Sequence, residues 1–376
     1  MRRAMSRRLP LTSVTTPLSS AELRRSVPLS GYTTLRLGGP AARFLRATSS
    51  AEVVDAVRAA DADGDPLLVL GGGSNLVIGD EGFDGLVVQV ANTGRGVDRV
   101  GDGLVQLTVE AGEDWDATVA NAVEQGLGGL ECLSGIPGLV GATPVQNVGA
   151  YGVEIADMLT SVDLLDRRSG RVHQVRAEQL GLTYRNSVLK GTDSAVVLRA
   201  RFALRDGGES APIRYAELAR VLGVQIGERV PVGAAREAVL ELRRGKGMVL
   251  DPADNDTWSA GSFFTNPIVA DEELPEVLRR IGERVGADTA VPRYPADTGS
   301  TKLSAAWLIE RAGFGKGFSA AGDRVSLSTK HTLALTNRGQ ASTADLLALA
   351  GQVRDGVFAA FGVRLAAEPV LVGCAL

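Results

Sequence analysis

The spacing of apolar and polar residues changes period several times along the chain. Residues 42–48, ARFLRAT, read as a strand. In SSAEVVDAVRAADADGD (49–65), Val53, Val54 and Val57 fall on one helical face, and Ser49 and Glu52 have capping-box spacing, which predicts a helix. PLLVLGGGSN (66–75) then predicts a short buried strand running into three glycines, so the pattern is β-α-β closed by a glycine-rich loop. From about residue 84, GLVVQVAN and LVQLTVEAG predict two neighbouring strands, and DWDATVANAVEQGL predicts a helix capped by Gly126. TSVDLLDRRSGRVHQV predicts a hairpin turning at Ser169 and Gly170; SAVVLRARFAL is a further strand and AAREAVLELRRGKG a helix. Helical stretches at 271–286 and 303–312, a long amphipathic helix in TADLLALAGQVRDGVFAAFG and a strand in RLAAEPVLVG complete the pattern. With no internal repeat and no Gly/Ser linker, the domains are expected to pack together and share a cleft.

One stretch has neither period. GIPGLVGATPVQNVGAYG (135–152) carries no charge, five glycines and two prolines. Such a run is a poor helix and a poor strand and is costly to order, but glycine lets backbone approach another molecule closely. Gly71 to Asn75 form a second glycine-rich loop, of a kind that offers backbone N–H groups to phosphate. This loop is not the dinucleotide fingerprint, because GxGxxG fails at Leu76, and no GK[ST] follows to make it a P-loop.

Composition narrows the chemistry. The chain has 376 residues, 44% hydrophobic and 22% charged, with a net charge of −4, which gives no reason to expect nucleic acid or an anionic membrane as partner. No apolar run approaches the roughly 18–20 residues of a membrane span. The basic N-terminus lacks the apolar core of a secretory signal, and residues 1–30 are expected to be a disordered extension. Only two cysteines (Cys132, Cys374) and two histidines (His173, His331) are present, so neither a disulfide framework nor a metal site is expected, and the cysteines read as free thiols in a reducing cytoplasm. His331 reads as structural. Any catalysis must come from Lys, Arg, Ser, Tyr, Glu or a cofactor.

Several polar residues stand out individually, each with a plainer alternative. Tyr184 and Arg185 lie in a polar turn, TYRNS; the Arg can clamp a carboxylate or phosphate or simply be exposed. Ser262 and Asn266 flank two phenylalanines in SAGSFFTNP, which are either core anchors or a frame for the Ser hydroxyl. Lys246 sits between glycines in RRGKGMVLDP, and Tyr215 precedes a short helix in RYAEL. Glu368, in AAEPVLVG, is either an exposed strand end or a carboxyl whose pKa is raised by apolar surroundings. These readings bound a cytosolic α+β protein with a phosphate-cradling loop and go no further.

Taken together, TTLRLGGPA, LGGGSNLV, GLECLSGIPGLVGATPVQNVGAYG, TYRNSVLK, RYAEL, RRGKGMVLDP, GSFFTNP, KLSAAWLIERAG and AAEPVLVG resemble one family in order over about 33–373: the UDP-N-acetylenolpyruvoylglucosamine reductases. The resemblance implies an α+β chain with an FAD-binding fold of the vanillyl-alcohol-oxidase/p-cresol-methylhydroxylase type, built as two α/β subdomains (31–95 and 96–240). A smaller α+β substrate domain (241–365) and a last strand carrying Glu368 (366–376) follow. It implies a first flavin wall at Gly71, Gly72, Gly73, Ser74, Asn75 and Leu76. The second wall is Ser134, Gly135, Ile136, Pro137, Gly141, Gln146, Asn147, Gly149, Ala150, Tyr151 and Gly152, with Gln146 and Asn147 able to hydrogen-bond the cofactor. Neither loop holds His or Cys, so the FAD is expected to be non-covalent, with NADPH as co-substrate and UDP-N-acetylglucosamine-enolpyruvate as substrate. Ser262 corresponds to the proton donor, and Arg185 and Glu368 to the residues that bind and polarise the carboxylate. Tyr184, Tyr215, Lys246 and Asn266 match substrate-contacting positions, and Tyr215 puts the chain in the branch with a Tyr-bearing loop expected to close over the substrate. A cytoplasmic monomer is expected. Another flavin oxidase of the same fold, or a non-catalytic nucleotide-sugar-binding protein, are the alternatives. Ser262, Tyr215 and Lys246 argue against the first, and Ser262, Arg185 and Glu368 against the second.

Overall fold

The computed structural model of the protein describes residues 23–296, 298–319 and 322–376. The first sheet contains β1 (Leu23–Pro28), β2 (Pro40–Ala47), β3 (Leu67–Leu70) and β5 (Phe83–Val90), in the order β1-β2-β5-β3; β4 (Leu76–Ile78) leaves this sheet to pair elsewhere. Helix α1 (Ser50–Asp63) crosses between β2 and β3, burying Val53, Val54, Ala56, Val57 and Ala60. The Ser49 side chain accepts from the Glu52 N–H at 3.2 Å. Glu52 does not close the predicted box on Ser49; its carboxylate accepts from the N–H and hydroxyl of Thr48 instead. The expectation of disorder through residue 30 is corrected: residues 23–28 form β1, antiparallel to β2, while residues 1–22 lie outside the described residues.

The second sheet is antiparallel throughout. It comprises β6 (Arg95–Gly101), β7 (Leu104–Glu110), β11 (Leu159–Asp166), β12 (Arg171–Arg176) and β13 (Ala195–Asp206) in the order β12-β11-β13-β7-β6, with β8 (Leu127–Gly128) pairing β13. The short hairpin β9 (Gly149–Ala150) and β10 (Val153–Glu154) stands apart from it. In β7, Val105, Leu107 and Val109 alternate inward. They meet α2 (Trp115–Glu124), whose Trp115 lies edge-on to Phe202 at 5.9 Å. The two β-rich segments expected to be neighbours are not: β5 pairs in parallel with β2 and β3 in the first sheet, and β7 pairs with β6 and β13 in the second. Helices α3 (Ala216–Leu222) and α4 (Val232–Gly245) follow.

The C-terminal region holds β14 (Ile268–Ala270), β15 (Arg293–Pro295), β16 (Ser300–Leu303) and the hairpin β17 (Val325–Leu327)–β18 (Leu335–Asn337), with α5 (Leu274–Val285), α6 (Ala305–Ala312) and α7 (Thr343–Phe361). Its core is continuous with Leu35, Leu37 and Val77 of the N-terminal region. Asp80, from that region, accepts from the Thr343 and Ala344 N–H groups at the start of α7, at 2.7 and 2.9 Å, where a carboxylate also suits the helix dipole. Strand β19 (Val370–Val372) then returns to lie parallel to β4.

Candidate active site

The two glycine-rich loops meet. A Cβ at Gly72 would lie 2.8 Å from the Gly138 Cα, and a Cβ at Gly138, whose φ is +128°, would lie 2.7 Å from Ser74 Oγ. Only glycine lets these backbones touch. Asn75 then bridges the walls: its amide donates to Gln146 Oε1 at 2.7 Å and reaches the Glu368 carbonyl at 3.5 Å, while the Val370 N–H donates to the Asn75 carbonyl at 2.9 Å. Gly71 packs on Leu139 and Ala142, Gly73 O accepts from Thr34, and Leu76 opens β4.

Along the second wall, the Ser134 hydroxyl donates to Glu131 O, and the Gly135 N–H donates to Asp116 at 2.6 Å. Asp116 is in turn held by two bonds from Arg236. Ile136 and Pro137 lead to Gly138, and the Gly141 N–H bonds Ala111 O. Behind this wall, Arg243 bonds the carbonyls of Gly135 and Met248, leaving its buried Nε without a partner. Burial pulls its pKa down to about 10, against the pull of Tyr151 and Asp116.

Asn147, expected to be able to hydrogen-bond the cofactor, also makes three side-chain hydrogen bonds within the protein. It is buried at φ +46°, donating to Glu154 (2.7 Å) and Thr183 O (3.0 Å) and accepting from the Ala156 N–H (3.0 Å). One of these bonds ties its side chain to the TYRNS turn at Thr183, and the other two tie it to Glu154 and Ala156. In that turn Thr183 and Asn186 exchange backbone hydrogen bonds, and Arg185 takes φ +54°, an unfavourable conformation for a side chain of its size. Lys190 donates to its carbonyl at 2.9 Å. The Arg185 guanidinium bonds Gly149 O at 2.7 Å and faces Glu368 at 3.4 Å. A Cβ at Gly149 would lie 3.1 Å from that guanidinium, so the glycine permits its approach.

Ser262 reaches the same place from the C-terminal region. Phe263 and Phe264 are core anchors, each 1% exposed and edge-on at 5.2 Å. Phe264 bridges Ala367, and the Glu368 N–H donates to Phe263 O at 2.9 Å, so the segment after Ser262 runs antiparallel to the one carrying Glu368. Burial pushes the Glu368 carboxyl above its ordinary range, against Arg185 and Lys190, which pull it down. Tyr184 presents its ring nearby under the Lys302 ammonium, 4.0 Å from the ring centroid. Lys302 lies within KLSAAWLIERAG, and nothing in the string marked it out. Asn266 spends its carbonyl on the Ala305 N–H at the start of α6.

Tyr151 and Gly152 stand at the other end of the second wall. Tyr151 has φ +51°, Ala150 pairs with Val153, and Gly152 packs on Arg214 at φ +79°. The Tyr215 ring meets Tyr151 edge-on at 5.4 Å, and the Lys246 ammonium lies 6.0 Å from the Tyr151 centroid. A cleft of about 580 Å³ opens beside Lys246, with Lys316, Lys330 and His331 and the carboxylates of Glu217, Glu241 and Glu310 on its walls. Burial, then Lys246 and Lys316, drive the His331 pKa down to about 4, so its ring is neutral near pH 7. Among the described residues no group of three or more His, Cys, Asp and Glu is placed to hold a metal, and no helix is long and apolar enough to cross a membrane.

Comparison with known proteins gives a consistent result. Residues 41–176 match the family model for an FAD binding domain, and residues 251–372 the one for the C-terminal domain of UDP-N-acetylenolpyruvoylglucosamine reductase. The protein of that name from Saccharopolyspora erythraea is 72% identical over 93% of this chain and 95% of its own. The one from Nocardia farcinica is 58% identical over 95% and 92%. The solved UDP-N-acetylenolpyruvylglucosamine reductase from Thermus caldophilus superposes with a TM-score of 0.63 at 27% identity, covering 93% of this chain and 99% of that one.

Proposed function

The chain belongs to the UDP-N-acetylenolpyruvoylglucosamine reductase family, and on that premise we propose how its own residues carry out the reaction. The protein is an FAD-dependent oxidoreductase that reduces the enolpyruvyl group of UDP-N-acetylglucosamine-enolpyruvate, giving UDP-N-acetylmuramate for peptidoglycan synthesis. The residues present fit FAD. Two glycine-rich loops meet backbone to backbone, closely enough that a Cβ at Gly72 would strike Gly138, and a buried Arg243 Nε behind the second loop lacks a partner. Gly71 to Leu76 and Ser134 to Gly152 would hold the cofactor, with Asn147 acting as a brace for the TYRNS turn. Bound FAD would take a hydride from NADPH and supply it to C3 of the enolpyruvyl group.

That addition leaves a carbanion at C2, its charge shared with the carboxylate. Arg185 binds the carboxylate and stabilises that charge, and Gly149 O and Glu368 hold the guanidinium in place. Glu368, paired with that guanidinium and with its pKa raised by burial, acts with Arg185 to polarise the carboxylate. The Ser262 hydroxyl delivers a proton to C2, completing the saturated product. A Ser hydroxyl is a weak acid, but a carbanion is a very strong base, and the rigid frame of Phe263 and Phe264 replaces acidity with geometry. Tyr184, Tyr215, Lys246 and Asn266 contact the substrate; Tyr215 and Lys246, which both lie against Tyr151, take its diphosphate.

The observation that carries this reading is the convergence of residues 185, 262 and 368: an ion pair at 3.4 Å joins the first to the third, and backbone pairing aligns the segments of the second and third. Monomeric action in the cytoplasm belongs to the same proposal. The two cysteines are free thiols, which suits a reducing compartment.

The test is Ser262→Ala in anaerobic stopped-flow. Reduction of the flavin by NADPH should proceed as in the unaltered protein, and reoxidation by the UDP-sugar should slow by about 10²–10⁴-fold. Equal loss in both half-reactions would make Ser262 a structural residue and refute its role.

A further inference from the structure

Lys246 is already occupied. Its ammonium lies 2.7 Å from the Glu217 carboxylate, and both side chains are about one-third exposed, at 36% and 34%. A pair this exposed adds little to folding stability. What it does is geometric. Glu217 lies in the first turn of α3, and Tyr215 is the N-cap residue of the same helix. The carboxylate therefore ties the helix bearing Tyr215 to Lys246 at the end of α4, while the Tyr215 ring rests on Tyr151. Glu217 and Lys246 both line the cleft, together with Lys316, Lys330 and His331 and with the carboxylates of Glu241 and Glu310; of the three carboxylates, Glu217 is the one paired with Lys246. Lys330 has its own carboxylate, Asp254, at 2.5 Å, and the His331 ring is neutral. A phosphate that takes Lys246 must displace the Glu217 carboxylate from the same ammonium, so the two anions compete for one cation.

We propose that Glu217 is a positioning residue for substrate handling. It holds Lys246 and the Tyr215 helix in place while the cleft is empty, and it is the anion that the diphosphate of the UDP-sugar displaces. Its charge thereby weakens retention of substrate and product alike and keeps product release fast. This inference rests on the reading above of Lys246 as a diphosphate contact.

The test measures the dissociation constant of UDP-N-acetylmuramate for the FAD-loaded enzyme by titration calorimetry, in Glu217→Gln, Glu217→Asp, Lys246→Met and the Glu217→Gln/Lys246→Met double variant. Glu217→Gln should bind the product about 3–10-fold more tightly and show a lower KM for the UDP-sugar, while Glu217→Asp, which keeps the charge, should stay near the unaltered protein. Lys246→Met should weaken binding, and adding Glu217→Gln to it should change nothing further. Weaker or unchanged binding in Glu217→Gln, with Lys246→Met weakened as expected, overturns the inference and leaves the reading of Lys246 standing. Tightening by Glu217→Gln that persists without Lys246 also overturns it. Unchanged binding in Lys246→Met removes both the reading and the inference built on it.

Discussion

Gly72→Ala tests the contact between the two loops directly. The new Cβ would lie 2.8 Å from the Gly138 Cα, 3.2 Å from its carbonyl carbon and 3.4 Å from the Leu139 nitrogen. All three are backbone atoms, so no side chain can swing aside. Carbon atoms pack at about 3.5–4.0 Å, and the loops must therefore part by about 1 Å. Overpacking of this kind costs about 1–3 kcal/mol. Gly71→Ala is the control, because its Cβ would meet Ala142 at 3.8 Å and Leu139 at 4.0 Å, ordinary contacts. Urea unfolding of the FAD-free proteins should show the Gly72 variant destabilised by that amount and the Gly71 variant within about 0.5 kcal/mol of the unaltered chain. If FAD needs the native spacing of the walls, the same energy weakens its binding about 5- to 150-fold, readable from flavin fluorescence. A Gly72→Ala protein with unaltered stability and FAD affinity would refute the backbone contact and with it the account of why this position is glycine.

Asn147→Ala removes three buried hydrogen bonds and should cost about 1.5–4 kcal/mol in denaturant titration. It should also lower kcat more than FAD affinity, since the TYRNS turn loses its brace; a selective loss of FAD binding would restore Asn147 to the cofactor. Glu131, fully buried, accepts from the Gly129 and Ala211 N–H groups, so Glu131→Gln would turn an amide NH₂ toward one of those donors and should destabilise the fold by about 1–3 kcal/mol. Burial also raises the Glu131 pKa above that of the unfolded chain, against hydrogen bonds that lower it. Its contribution to stability is thus full below the ordinary glutamate value and lost as pH rises through the raised one, and the Gln variant should lack that slope when unfolding is followed against pH. The Cys132 thiol, pushed up to about 12 by burial and then by Glu131, should resist a thiol reagent such as DTNB in the native protein and react only after unfolding.

Features decided within a dozen residues were legible in the sequence. The Ser49 cap, the β-α-β turn into glycine, the Ser169–Gly170 hairpin and the long helix at 343–361 all follow from local spacing. What escaped depends on distant partners. LVVQV and LVQLTVE both read as strands, the first a nearly continuous apolar run and the second alternating, but their partners, β2 and β3 for the first and β6 for the second, lie elsewhere in the chain. LRRSVP at 23–28 exposes most of its side chains on an edge strand and so carries no period to read. At the site, motifs located Ser262, Arg185 and Glu368, but composition could not tell which way Asn147 points. Neither Glu217 nor Lys302 stood out, because each gains its meaning from a partner in another element: Lys246 for one, Tyr184 for the other.

The parallel pairing of β19 with β4 also has a consequence for biosynthesis. Translation delivers Leu76–Ile78 early and Val370–Val372 only after almost everything between them has left the ribosome. The first sheet can close on the nascent chain, yet Asn75 gains its bond from Val370, and Arg185 its carboxylate from Glu368, only at the end. A prematurely terminated chain, or one clipped by a protease ahead of Glu368, retains both glycine-rich loops but lacks the carboxylate that pairs with Arg185 and the strand that pairs with β4. The pairing of β19 with β4 therefore closes only once synthesis has passed residue 372.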